Sequence, residues 1–198
     1  MMRSVLPLAL TWPYALVFWG VVWWAFAPEG RIVTRSATSG ASGQDAGSKL
    51  LILVSQVVAT GAAFVIASRA TSAAVPHRVW LFWAGLALVI AGSLLRRHCW
   101  RMLGTSFTGA VVVSPDQAVV ERGAYRYVRH PSYTGGALLY LGIGLALANW
   151  ISLVVLTLSI AVGYGYRVFV EERALATTIG DPYRRYMRRT KRFIPFVF

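Results

Sequence analysis

The sequence has few of the residues that build disulfide, metal or soluble nucleotide-binding sites. It contains one cysteine, Cys99, which excludes an internal disulfide, and its three histidines (His77, His98 and His130) do not have the spacing of metal ligands. It contains no GxxxxGK[ST] motif and no GxGxxG motif after a strand, which argues against a soluble nucleotide-binding domain. We therefore expect no metal, and we expect helix ends and the loops between them to hold any cofactor.

Charge is also scarce, and most of it has one sign. Charged residues make up 14% of the 198 residues and hydrophobic residues 57%, with 7 acidic against 20 basic side chains. A soluble domain has roughly a quarter charged residues, so the composition indicates a membrane protein. A net charge of +13 is also typical of nucleic-acid-binding proteins, but here the basic residues lie between apolar runs. Lipid head groups and topology account for that placement, so we predict membrane lipids as partners and no nucleic acid.

Five apolar segments approach the roughly 20 residues that a membrane-spanning helix needs. They cover residues 6–27, 50–68, 79–95, 132–148 and 151–169. The third helix is predicted to continue to Arg101, and residues 28–49 are predicted to form a polar loop. A cleaved signal peptide is an alternative for the first segment, because Ala25 and Ala27 form an A-x-A pattern, but the segment is longer than the usual apolar region of about 7–15 residues. We see no repeat or second domain, and we predict a single all-α membrane domain, residues 1–198, of about five transmembrane helices.

The basic residues also predict the orientation in the membrane. Six Lys and Arg lie in the range 96–129, eight lie from Arg167 to the C-terminus, and the 149–150 turn has none. The positive-inside rule places both basic segments in the cytoplasm and the N-terminus outside, with Arg69 and Arg78 as exceptions. The 18 Arg against 2 Lys indicate a GC-rich genome, so we expect a multi-pass protein of a prokaryotic plasma membrane with a cytoplasmic C-terminus.

The first basic segment, ERGAYRYVRHPSYTGG, places several polar side chains at the entrance to the fourth apolar segment. Tyr125, His130 and Tyr133 crowd this entrance, and Pro131 suits the first turn of a helix, where its missing N–H costs nothing. The free backbone N–H groups of a helix start, beside basic side chains, favour an anion. The alternative is an interfacial belt of Tyr and Arg, which anchors many membrane helices.

The second basic segment, GYGYRVFVEERALATTIGDPYRRYMRRTKRFIP, carries ionisable residues next to hydrocarbon. Arg167 and Glu171 are four residues apart and share a helix face, and such residues usually face protein or a water-filled cavity. The alternative is a simple salt bridge between the two, with Glu172 facing water. We expect the helix to stop at 180–182 and a short basic helix over 183–191 to lie on the membrane.

Taken in order, these motifs resemble one known family. RHPSY, a glycine-bearing span, Asn149, RxxxEE, GxxYxxY and a terminal RFxP are similar in order and spacing to the isoprenylcysteine carboxyl methyltransferase family, over about residues 104–198. The resemblance implies an integral membrane methyltransferase that uses S-adenosyl-L-methionine, with a cytoplasmic cofactor region built from the loop before the fourth helix and the C-terminal tail. The implied acceptor is an isoprenylcysteine-like or other lipophilic acid, either a small molecule or lipidated.

The resemblance also implies roles for individual residues. The cofactor-binding positions fall on Gln117, Ala118, Val119, Val120, Tyr125, His130, Pro131, Ser132, Tyr133 and Glu171. Arg167 falls on the arginine that faces the acceptor carboxylate. Chemically, Glu171 suits the cofactor ammonium, and His130 with the helix-start N–H groups suits its carboxylate. The acceptor carboxylate is ionised at neutral pH and needs no general base, and we expect the site to open sideways so that an apolar acceptor enters from the bilayer.

Three other functions compete with carboxyl methylation. A phospholipid or amine N-methyltransferase has similar motifs, but an amine acceptor has no use for Arg167. An NADPH-dependent sterol-type reductase has similar C-terminal motifs and requires more spans than this chain offers. A non-enzymatic lipid-binding membrane protein explains the basic tail but not the ordered motifs.

Overall fold

The described part of the chain is helical. The computed structural model describes residues 6–37, 45–104, 111, 113–114 and 116–194, with only the backbone for 30–37. The helices are α1 (Tyr14–Ala37), α2 (Ser48–Arg69), α3 (Arg78–Leu103), α4 (Pro131–Ala146), α5 (Trp150–Thr178) and α6 (Asp181–Arg189), with short 3-10 turns between some of them. Within these described ranges no strand is formed, and the predicted all-α class is confirmed.

Three of these helices can cross a membrane by length and composition. They are α2, α3 and α5, among the residues that the structure describes. Helix α4 has 16 residues and is shorter than the usual span. The count of five spans therefore stays a prediction.

Helix α1 differs most from its predicted segment. It begins at Tyr14 and not at Leu6, and it continues to Ala37, so the chain from Pro28 to Ala37 is helical and not part of a loop. Glu29, one residue beyond Pro28, forms an ion pair with Arg96 of α3, with 2.6 Å between Glu29 Oε1 and Arg96 Nε. This pair ties the polar extension of α1 to the bundle, a contact that local composition does not reveal. Residues 38–44 of the predicted loop, and Pro195 of the RFxP motif, lie outside the described residues.

The other helices follow the predicted segments. α2, α3 and α4 match the segments at 50–68, 79–95 and 132–148, and α3 continues past Arg101 as expected. α5 runs beyond 169 to Thr178 and ends before Gly180, close to the predicted stop. Helix α6 begins at Asp181, with Pro182 in its first turn, and not at 183 as predicted. The long C-terminal end of α5 therefore carries the RxxxEE motif out of the apolar segment and towards the loops.

Helices α3 and α4 cross with their backbones in direct contact. A Cβ atom built on Gly85 would lie 2.5 Å from the carbonyl oxygen of Gly142, and one on Gly92 would lie 2.5 Å from that of Gly135. Small residues at such crossings allow the close packing on which membrane helices depend. The crossing fixes α4, and with it the RHPSY motif at its start, against α3.

The connections at one end of the bundle meet around Asn149. Its Oδ1 accepts the N–H of Ser152 (3.1 Å) and caps α5, while its Nδ2 donates to Ala70 O (3.0 Å). Val75 N–H donates to Ala148 O (2.9 Å). The α2–α3 connection and the α4–α5 turn therefore share one end, and the two basic segments lie together at the other.

Candidate active site

A cavity of about 380 Å³ lies at the end of the bundle that carries the basic segments. It is lined by the start of α2, the end of α3, the chain before α4, and parts of α1, α4, α5 and α6. The predicted site residues that line it are Gln117, Ala118, Val119, Val120, Tyr125, His130, Ser132, Tyr133, Arg167 and Glu171. Pro131 is fully buried and begins α4, so it shapes the wall rather than the surface. The structure thus brings the predicted residues into one place.

Tyr133 connects the two predicted charged residues of the site. Its hydroxyl donates to Glu171 Oε2 (2.6 Å) and accepts from Arg167 Nε (3.1 Å). The tyrosine therefore holds both side chains at fixed positions on the cavity wall. The expected one-turn spacing along α5 is correct, and the contact between the two charges runs through a side chain of α4.

Arg167 has an acidic partner that sequence reasoning missed. Its Nη1 pairs with Asp45 Oδ1 and also donates to Ser48 Oγ (2.8 Å), and the arginine is only 4% exposed. Asp45 also accepts the backbone N–H groups of Lys49 (3.0 Å) and Val111 (2.9 Å). Burial works to raise the pKa of Asp45, but these N–H donors and the guanidinium hold it below its ordinary value.

The position of Asp45 carried a weak signal in the sequence. An acidic residue directly before an apolar helix favours a capping contact with the first turn, which is the bond to Lys49. Its pairing with Arg167, far along the chain, has no local pattern. The protein itself therefore supplies an anion next to Arg167, the Asp45 carboxylate. It comes from the segment before α2, for which the sequence predicted no functional role.

Glu172 does not face water, which corrects the alternative considered above. It is 5% exposed and accepts hydrogen bonds from Arg129 Nε (2.8 Å) and Arg192 Nη2 (2.9 Å), and its Oε1 lies 3.2 Å from His130 Nε2. A buried carboxylate with several cationic partners is the arrangement that makes burial of charge tolerable. Of the adjacent glutamates, Glu171 faces the cavity and Glu172 fixes the loop and the tail to α5.

The C-terminal tail closes the cavity against the RHPSY segment. Arg129 N–H donates to Lys191 O (2.8 Å) and His130 N–H donates to Arg192 O (3.0 Å), so the two segments of the chain run side by side. The Tyr186 hydroxyl donates to Tyr125 O (2.6 Å), and burial raises the pKa of Tyr186, which keeps that donor protonated. The tyrosines of the GxxYxxY motif therefore point inward and serve as part of the wall.

A second ion pair lines the cavity on its α1 side. Arg96 binds Glu29 through both Nε and Nη2, and its Nη1 donates to Ser132 O (3.0 Å). Tyr164 lies close by, because Gly136 leaves room for it: a Cβ on that glycine would come 2.4 Å from the Tyr164 hydroxyl. Glu29 and Arg96 were not predicted as site residues.

The cavity wall formed by α2 includes exposed apolar side chains and is partly open to the side. Leu53 and Val57 line the cavity and are 56% and 64% exposed. Helices α1 and α2 touch near the Asn149 end, where Trp19 and Phe64 stack with 5.3 Å between ring centroids. The exposed lining residues lie at the other half of α2. The cavity therefore reaches the bilayer-facing surface beside α2.

Comparisons with known proteins identify a family that the sequence resembles. The sequence profile of the isoprenylcysteine carboxyl methyltransferase family matches residues 85–177, from within α3 to the end of α5. The predicted family resemblance is confirmed. Protein-S-isoprenylcysteine O-methyltransferase of Schizosaccharomyces pombe is 31% identical over 116 residues, which is 58% of this chain and 49% of that protein. The enzyme of the same name from Tribolium castaneum is 31% identical over 120 residues, 60% of this chain and 43% of that protein.

A solved structure has the same fold. The structure titled as the eukaryotic intramembrane Ras methyltransferase ICMT, without a monobody, superimposes with a TM-score of 0.59 over 93% of this chain and 65% of that one, at 24% identity. This chain is accordingly a multi-pass integral membrane protein. It spans about half the length of the curated relatives described above.

Proposed function

We propose that this chain transfers a methyl group from S-adenosyl-L-methionine to the carboxylate of a lipophilic acid at the cytoplasmic face of a prokaryotic plasma membrane. The observation that carries the proposal is a single cavity that places Glu171 and Tyr133 beside Arg167 and that reaches the lipid-facing side of α2. The carboxyl methylation named for the matched relatives agrees with this chemistry.

The residues around Glu171 fit the cofactor. The Glu171 carboxylate faces the cavity and suits an ammonium, while Val119, Val120 and Leu175 provide apolar walls for an adenosyl group. At the start of α4, Pro131 has no N–H group and those of Tyr133 and Thr134 donate to His130 O, so the N–H group of Ser132 is the helix-start donor that suits a carboxylate. A cavity of this volume falls within the usual range of about 300–1,000 Å³ for small-molecule sites. When bound, the cofactor supplies an electrophilic methyl group on a sulfonium.

The residues on the α2 side fit an acidic acceptor with an apolar tail. Arg167 lines the cavity, and an acceptor carboxylate that displaces Asp45 from the guanidinium meets a planar fork of donors. Leu53 and Val57 provide apolar surface at the lateral opening. An ionised carboxylate is already a nucleophile, so the protein needs to align it and to exclude water from it. Tyr133 contributes to that alignment, because it fixes the positions of Arg167 and Glu171 relative to each other.

One observation favours a second candidate, an amine acceptor. Asp45 already pairs with Arg167 and offsets its positive charge. The arginine can therefore lie next to hydrocarbon without an anion from the substrate. A phospholipid or other amine N-methyltransferase is therefore the second candidate. The two functions differ in the stability of the methylated product towards base.

The product can be tested directly. Purified protein is incubated with methyl-labelled S-adenosylmethionine and a bacterial lipid extract, and the labelled lipid is then treated with base. We expect the label to be released as methanol, because a methyl ester hydrolyses, whereas a methylated amine keeps its label. Base-stable label would establish the amine reaction in place of the proposed one.

A variant of Arg167 tests its role in the same assay. Arg167→Lys keeps a charge beside Asp45 but loses the fork, so we expect turnover to fall about 100-fold while cofactor affinity stays within about threefold. Arg173→Lys, at an exposed position of the same helix, is the matched control and should leave both unchanged. Near-normal turnover of the Arg167 variant would contradict docking of a carboxylate by this residue.

A further inference from the structure

Gln56 is a buried polar side chain that the proposed reaction does not use. It lies on α2, is 3% exposed and lines the cavity next to Leu53 and Val57. Within the described part of the chain, neither its Nε2 nor its Oε1 has a hydrogen-bond partner. A hydrogen bond left unmade at a buried group is destabilising, and a carboxamide has both a donor and an acceptor to satisfy.

The neighbours of Gln56 are engaged elsewhere or are apolar. Ser55 directs its hydroxyl to Ile52 O (3.1 Å), and its own carbonyl accepts from Ser159 Oγ (3.0 Å). A Cβ atom built on Gly163 of α5 would lie 3.7 Å from Gln56 Nε2, so the facing helix places a glycine, with no side chain, beside the carboxamide. Among the described residues, no side chain therefore pairs with the Gln56 carboxamide.

The packing of α2 on α5 gives the depth of Gln56 relative to Arg167. The helices run antiparallel: Ser48 contacts Arg167 near one end, and Ser152 Oγ donates to Ala63 O (2.8 Å) near the other. Eight residues separate Ser48 from Gln56, which is about 12 Å along the helix axis at about 1.5 Å per residue. Gln56 thus lies farther from the Ser48 end of the bundle than the Arg167 guanidinium does. If the carboxylate of an acceptor docks at Arg167, its apolar tail passes Gln56.

We propose that Gln56 is a specificity-determining residue that binds a hydrogen-bonding group in the chain of the acceptor, about 12 Å beyond its carboxylate. The substrate class is then a lipophilic acid with a mid-chain hydroxyl, ether or amide, and a plain hydrocarbon chain leaves the carboxamide unpaired. A site built to hydrogen-bond a polar group discriminates strongly against the analogue that lacks it. This inference rests on the proposed carboxyl methylation and adds the acceptor class to it.

The test compares matched C18 acids with the purified protein and methyl-labelled S-adenosylmethionine. The probes are octadecanoic acid and its derivatives with a hydroxyl on the third, tenth or twelfth carbon. We expect kcat/KM at least tenfold higher for a mid-chain hydroxy acid than for octadecanoic acid, and no such gain for the third-carbon isomer. Equal kcat/KM for all four acids would overturn the role of Gln56 while leaving carboxyl methylation in place.

Variants separate recognition from a structural role of the residue. Gln56→Met keeps the side chain's length without polar atoms, so we expect it to reduce the preference for the mid-chain hydroxyl to within about twofold and to improve kcat/KM for octadecanoic acid. Val58→Leu, on the same helix with a side chain 64% exposed, is the control and should keep the wild-type preference.

A Gln56→Met protein that retains the preference contradicts the inference. A variant that loses activity on all acids equally also contradicts it. Methylation of none of the four acids by wild-type protein that forms a base-labile product in the lipid extract overturns the inference alone, whereas the absence of a base-labile product in the extract overturns the proposed function and the inference with it.

Discussion

Replacing Asp45 with asparagine tests which anion Arg167 binds during the reaction. Asparagine keeps the size of the side chain and one accepting oxygen for the Lys49 or Val111 N–H group, but it removes the charge opposite the guanidinium. Breaking a buried ion pair by removing one partner costs about 3–5 kcal/mol, and because asparagine keeps one accepting oxygen we expect the lower end, about 3 kcal/mol. The variant should therefore unfold at a lower temperature than the wild type when no acceptor is present.

An acidic acceptor should reverse that loss. With Asp45 neutral, the acceptor carboxylate no longer competes with the Asp45 carboxylate for Arg167, so we expect KM for the acceptor to fall about tenfold and added acceptor to restore the unfolding temperature. Cofactor affinity should change less than about threefold, since Glu171 is untouched. A KM that rises, or an acceptor that stabilises wild type and variant equally, would refute the idea that the two carboxylates compete for one arginine.

The same variant has a pH dependence of known sign, and an exposed aspartate provides its control. The pKa of Asp45 in the folded protein lies below its ordinary value, so its stabilising contribution is complete at neutral pH and is lost as the pH falls through the lowered pKa. Asp45→Asn should lack this part of the acid sensitivity. Asp181→Asn removes an exposed pair with Arg184 at 3.5 Å, and its thermal unfolding should match the wild type at every pH.

Three further predictions concern the glutamates and the topology. Glu171→Gln should weaken S-adenosylmethionine binding at least tenfold in calorimetry with little change in unfolding temperature, and unchanged affinity would contradict its role. Glu172→Ala removes the acidic partner of buried Arg129 and of half-exposed Arg192, so we expect the lower end of the range for a broken buried pair, about 3 kcal/mol, measured by denaturant unfolding; a loss below about 1 kcal/mol would show that the cluster is not structural. In intact cells, with Cys99→Ser as background, an impermeant thiol reagent should label a cysteine at exposed Trp150 and spare one at Lys191, and the reverse pattern would invert the topology.

Residues near each other in the sequence, or within one motif, were predictable. The run from Tyr125 to Tyr133 and the RxxxEE motif each form a local unit, and both basic segments lie at one end of the bundle because the charge pattern and the helix count place them there. Gly180 and Pro182 are local helix breakers, and they end α5 where expected.

Contacts between distant segments were not predictable from one sequence. Asp45 and Arg167 lie 122 residues apart, and Glu29 and Arg96 lie 67 apart, so nothing local marks either acid as a partner. Glu172 looks the same as Glu171 in a sequence, although a rotation of about 100° per residue on the helix separates a cavity-facing carboxylate from a buried structural one. The extension of α1 past Pro28 was not predictable for the same reason, because it carries Glu29 of the long-range ion pair with Arg96.

The glycine crossings of α3 and α4 divide the site into a stiff wall and a compliant one. At Gly85 and at Gly92 the backbones of α3 and α4 are in contact, with no side chain between them that can rearrange, so we expect the RHPSY wall to stay in place while a ligand enters. Helix α2 carries the exposed Leu53 and Val57 at the lateral opening and has side chains that can change rotamer. We therefore expect α2 to adjust to acceptors of different width. Substitutions that broaden the range of acceptors should be found on α2 rather than on α4.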